Sequence, residues 1–146
     1  MILLLPFGLQ ALVMAVDELV FHRRRGLDRR EWLGHAVDSA GLLACLALPL
    51  ALPPTPAHLG LYAAMAAGSC LLVTKDEFIH QRLCTGAEHW CHAVLFLLHP
   101  MVLMATAGLW LGLLAPSPPA ALWMLRVQAL GVAACMAFQV GWWARR

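Results

Sequence analysis

The chain has 146 residues, of which 62% are hydrophobic and 12% charged, with a formal net charge of +2. Soluble domains are nearer half apolar and a quarter charged, so this composition excludes an ordinary soluble domain and indicates an integral membrane protein. The basic residues are too few and too scattered for a nucleic-acid-binding surface.

Apolar runs separated by Pro clusters and basic turns predict five spanning helices. The first covers about Ile2–His22 and is read as a retained helix, because it lacks the basic start and small-residue cleavage site of a signal peptide. A turn rich in Arg, from Arg23 to Arg30 with Gly26 inside it, leads to a second helix over about Arg30–Leu52. Pro53-Pro54-Thr55-Pro56 turns the chain into a third helix, about Ala57–Arg82. Cys84-Thr85-Gly86 then starts a fourth, about Ala87–Leu114, with Thr85 as its N-cap. After Pro116-Ser117-Pro118-Pro119, a fifth helix covers about Ala120–Trp143 and ends on the aromatic pair Trp142-Trp143.

Basic residues mark cytoplasmic turns. The Arg23–Arg30 turn, Arg82 and the Arg145-Arg146 tail therefore share one side, and an odd number of spans permits this. The expected orientation is amino terminus outside and carboxyl terminus inside, in a bacterial-type inner or cytoplasmic membrane. Five cysteines show no Cys-x-x-Cys spacing. They read as packing residues and reduced thiols, and no disulfide is expected.

A polar pattern occurs twice within this apolar chain. Asp17-Glu18-Leu-Val-Phe-His22 is followed by Glu31-Trp-Leu-Gly-His35, and Asp76-Glu77-Phe-Ile-His80 by Glu88-His89-Trp-Cys-His92. The pairs Glu18/His22, Glu31/His35, Asp76/His80 and Glu88/His92 are each four residues apart, which places both members on one helix face. The predicted architecture is all-α, a single membrane domain over residues 1–146. Helices one to four form a four-helix bundle of two repeated hairpins, about 1–52 and 57–115, and a fifth helix at about 120–143 is peripheral.

Carboxylates and imidazoles converging from four helices form a ligand set for two metals. The predicted ligands are Glu18, His22, Glu31, His35, Asp76, Glu77, His80, Glu88 and His92, with either member of each Asp-Glu pair, Asp17-Glu18 or Asp76-Glu77, able to face inward. A carboxylate at the centre of a membrane costs on the order of 2.5–3.5 kcal/mol on insertion scales, so a cluster of acids requires compensating charge. Metals or Arg side chains would supply it. Asp17, Asp38, His89 and His99 are supporting or pathway candidates, and Asp38 and His99 continue the polar face deeper into the membrane, His99 by about 10 Å beyond His92. Gln10 lies two turns deeper than Glu18.

In its ligand logic the arrangement resembles the ferritin-like dimetal-carboxylate bundles. The resemblance covers the four clusters only and implies a pair of metal ions held by bridging and terminal carboxylates with terminal imidazoles. The chain departs from that pattern in its Glu-x-x-x-His spacing, in the His on every helix and in its membrane setting. It also lacks the His-x-x-His-His boxes of membrane desaturases. The expected cofactor is two divalent metals, iron first and zinc second. The expected function is an oxidoreductase acting on a lipid-soluble substrate. A dizinc hydrolase and a metal transporter or metal-binding carrier are the rivals. A b-type haem would need a second His at the depth of His99, and the chain offers none.

Overall fold

A computed structural model describes residues 5–114 and 117–145, apart from the side chains at positions 76, 79, 82 and 118. The described residues are helical with short turns and contain no strand. Five helices are long and apolar enough to cross a membrane.

Helix α1, Leu5–Arg25, contains one π-helical stretch, Asp17–His22, marked by the Arg23 N–H reaching back five residues to the Glu18 carbonyl. It stops at Gly26, whose φ of +80° suits a residue without Cβ. Helix α2, Arg29–Ala51, begins with a capping box: Asp28 accepts from the Arg30 and Glu31 N–H groups, and the Glu31 carboxylate reaches back to the Asp28 N–H.

The third predicted helix is not continuous. It consists of α3, Pro56–Leu72, a 3₁₀ turn at Val73–Asp76 and α4, Glu77–Leu83. Thr74 Oγ1 donates to the Leu71 carbonyl at 2.7 Å, a local side-chain bond that competes with regular winding. Helix α5, Gly86–Trp110, is capped by Thr85 and ends four residues before the predicted boundary. Gly112 at φ +71°, with Leu113 N–H bonded to Gly108 O at 2.8 Å and Gly112 N–H to Leu109 O at 3.1 Å, forms a Schellman stop. Helix α6, Pro118–Trp143, completes the chain.

The packing differs from a pair of self-contained hairpins. Helix α1 lies chiefly on α5, and α2 lies on α3 and, most extensively, on α6. The last helix is therefore not peripheral. Gln139 and Trp143 near its end reach Glu18 of α1, and Gln139 also bonds Ser39 of α2. The predicted position was based on the absence of acids and His from this helix, but its amide and indole donors serve the buried acid of another.

The interior is polar at one end and apolar at the other. Leu42, Cys45, Leu46, Val102, Leu103, Leu109 and Leu125 form an apolar core, closed by Tyr62 O–H on the Leu103 carbonyl at 2.7 Å and Trp110 N–H on the Leu52 carbonyl at 2.9 Å. Large apolar side chains such as Leu12, Leu71, Leu97, Met104 and Leu130 point outward, as a lipid-facing surface requires. Buried acids and histidines gather at the opposite end of the interior, beside the Arg-rich turn.

Candidate metal centre

Four imidazoles meet at that polar end, one from each of α1, α2, α4 and α5. Their ring centroids trace a closed quadrilateral: His22 to His35 at 4.8 Å, His35 to His80 at 5.6 Å, His80 to His92 at 4.1 Å and His92 to His22 at 6.1 Å. His22, His80 and His92 are buried, and His35 is partly so.

On α1, Asp17 is the carboxylate that reaches the ring. Its oxygens lie 3.1 Å from His92 Nε2 and 3.3 Å from His22 Nε2. The π-helical stretch explains this. Bonding five residues apart brings Asp17 and His22 onto one face, where regular α winding would favour Glu18. Glu18 remains 3.3 Å from His22 Nδ1 but turns toward α6, accepting from Trp143 Nε1 at 2.5 Å and Gln139 Nε2 at 3.2 Å.

Glu31 and Glu88 occupy equivalent places in the first turns of α2 and α5, and both are buried. The Arg25 guanidinium lies between them. It donates to Glu31 at 2.6 and 3.0 Å and to Glu88 at 3.1 and 3.2 Å. Sequence reasoning placed Arg25 in the cytoplasmic basic turn and named Arg side chains only in general as compensating charge. The one available signal was the capping-box spacing Asp28-x-x-Glu31, which folds the turn back over the helix start. Glu88 Oε1 is also 4.0 Å from His22 Nε2, and Glu31 Oε1 is 3.8 Å from His80 Nε2.

Among the described residues, two groups have geometry suited to a cation. Asp17, His22, Glu88 and His92, all buried, each offer a ligand atom, and these atoms lie within 4.8 Å of one another. His80, Cys84 and His92 form a second group under the same limit. The donor set fits a transition metal, since imidazole with carboxylate suits iron, zinc and manganese. His92 Nδ1 is buried and has no hydrogen-bond partner among the described residues, as expected of a nitrogen left for a ligand. Cys84 lies just outside the membrane-spanning segments. Burial, and then its contact with Glu88, push its thiol up to about 12.

The other predicted residues lie elsewhere. Glu77 is 3.7 Å from His89, and both are about one-third exposed, so this pair sits at the surface. The Asp76 side chain lies outside the described residues. Asp38 is held by Lys75 Nζ at 2.7 and 2.8 Å, with Gly34 O also accepting from that ammonium. The 3₁₀ turn at Val73–Asp76 carries Lys75. His99 Nε2 is 2.9 Å from Ser69 Oγ.

A cavity of about 100 Å³ adjoins the ring, bounded by Asp17, His35, His80 and His92 at one end and by Gln10, Asp38 and His99 further in. Met14, Leu42, Leu95 and Phe96 form its apolar walls. Gln10 Oε1 is buried there without a hydrogen-bond partner among the described residues.

Comparison with known protein families, with characterised proteins and with solved structures finds no match to this chain. The class that fold and site define is therefore a broad one: an all-helical chain with five membrane-capable helices and a buried histidine–carboxylate cluster able to hold metal.

Proposed function

We propose that this protein is a membrane-embedded dimetal oxidoreductase with iron as the favoured metal, acting on a lipid-soluble substrate. The carrying observation is the ring of four imidazoles from four helical segments, with buried carboxylates from three of them at its edge. Charge supports the reading. Asp17, Glu18, Glu31 and Glu88 are all buried, and Arg25 is the one cationic side chain bonded among them in the described residues. Protonated imidazoles or bound divalent ions must balance the rest.

Two iron ions in such a site would supply electron-transfer and oxygen-activating chemistry. The chain's own groups would hold and orient. Asp17, His22, Glu88 and His92 present one set of ligand atoms, with Glu31, His35 and His80 beside them. Trp143 and Gln139 fix Glu18, and Glu18 in turn fixes His22 through Nδ1, a buttress of the kind that orients metal-bound imidazoles. The cavity next to the ring, apolar-walled with a few polar groups, suits a small lipid-soluble substrate group.

A twofold repeat along the membrane normal is part of this proposal. His22–His35 and His80–His92 are repeat-equivalent contacts, as are His35–His80 and His92–His22. Glu31 and Glu88 both follow a capping residue by three positions. Residues 1–146 then form one membrane domain, with the ring toward the cytoplasmic face and the amino terminus outside.

Elemental analysis of the purified full chain, followed by optical and Mössbauer spectra, tests the reading. Two iron atoms per chain with a coupled ferric signature are expected. Stoichiometric zinc would move the assignment to a dizinc hydrolase, which the same donor set also suits. Metal flux into proteoliposomes would favour a transporter. A metal-free chain after growth with ample iron and zinc would overturn the metal centre.

A further inference from the structure

We infer that His80, Cys84 and His92 form a thiolate-bearing metal position beside the Asp17–His22–Glu88–His92 position, making the two metal positions chemically unequal. This inference rests on the metal centre proposed above and specifies the ligands of its second half. The Cys84 N–H bonds the His80 carbonyl at 2.9 Å, continuing the winding of α4 by one residue, so thiol and imidazole four positions apart share a side. His92 comes across from α5, its ring 4.1 Å from that of His80. The three ligand atoms lie within 4.8 Å of one another.

His92 belongs to both groups, and its two nitrogens have different surroundings. Nε2 faces Asp17 at 3.1 Å. Nδ1 is buried and has no hydrogen-bond partner among the described residues. One imidazole would thus offer Nε2 to the first position and, once its ring proton is released, Nδ1 to the second. The contrast with Cys91 is informative: that thiol lies on the same helix as His92 but points at the Val13 carbonyl, 3.8 Å away. The difference in donor type has a chemical consequence. Carboxylate with imidazole suits iron or manganese, whereas thiolate with imidazole favours zinc or copper(I). Two irons in such a pair would have distinguishable environments, and the second position would exchange to zinc or copper(I) more readily than the first.

Cobalt(II) alone is the probe, titrated into the full chain in nanodiscs. Wild type should develop visible ligand-field bands together with a near-ultraviolet thiolate-to-cobalt charge-transfer band. Cys84→Ser should lose the charge-transfer band, retain ligand-field bands from the first position and bind one cobalt fewer. Cys91→Ser should behave as wild type. Cobalt should also protect Cys84, and not Cys135, from alkylation in wild-type protein, a readout that does not depend on a variant folding. Cobalt bound with ligand-field bands but no thiolate band, or a thiolate band that survives Cys84→Ser, would overturn this inference and leave the nitrogen–oxygen centre standing. No cobalt binding at all would overturn both.

Discussion

At the residue scale, burial and partners separate acids that look alike in the sequence. Asp17 and Glu88 lie in the group that can surround an ion, whereas Glu77 pairs with His89 at the surface. Asp17→Asn and Glu88→Gln should each lower bound metal sharply, and Glu77→Gln should leave it near wild type, as measured by elemental analysis. A loss in Glu77→Gln equal to that in Asp17→Asn would reverse this ranking. Arg25 is a different case because it neutralises Glu31 and Glu88 directly. Removing one partner of a buried ion pair costs about 3–5 kcal/mol, since the other charge remains buried. Arg25→Gln should therefore destabilise the metal-free protein by roughly that amount. Added metal should recover part of the loss, and unfolding in detergent with and without metal measures both effects.

At the element scale, the π-helical stretch in α1 determines which carboxylate joins the cluster. A single extra residue in the winding moves Asp17 onto the face of His22, and such insertions recur at functional sites. Deleting Leu19, an exposed residue within this stretch, should restore regular α winding. Asp17 and His22 would then stand four positions apart and still share a face, so metal content should stay near wild type. A sharp loss of metal would show that the π winding itself, rather than the shared face it creates, is needed. The end of α6 acts on the same helix. Trp143→Phe removes the indole N–H held by Glu18 and should weaken metal affinity by on the order of tenfold, the usual effect of losing a group that orients a ligand. The fold itself should persist, because the ring shape is kept.

At the scale of the whole molecule, a hydrophobic exterior encloses a polar cluster in one half and an apolar core in the other. This division makes metal loading sensitive to pH. The Cys84 thiol, pushed up to about 12, keeps its proton across the physiological range until a metal displaces it. Binding therefore releases that proton, along with any carried by the imidazoles. Affinity should rise with pH, by about tenfold per unit for each proton released. Cobalt titrations at several pH values measure the slope, and Cys84→Ser should make it shallower by one proton. A slope identical in the two proteins would remove Cys84 from the count.

The sequence by itself determined the helical class and the number of membrane-capable helices, because apolar run length, Pro clusters and capping residues act locally. It also placed His22, His35, His80, His92, Glu31 and Glu88 on polar helix faces, since i, i+4 spacing in a regular helix puts side chains on one face. Tertiary structure decided what lies between them. Arg25 folding back from its turn, Lys75 reaching Asp38, and Gln139 and Trp143 coming from the far end of the chain to Glu18 are contacts across helices, and spacing along one helix carries no information about them. The choice of Asp17 over Glu18 was hidden for a related reason. It depends on one turn of nonstandard winding, and the packing of α1 against its neighbours, rather than local propensity, selects such a turn.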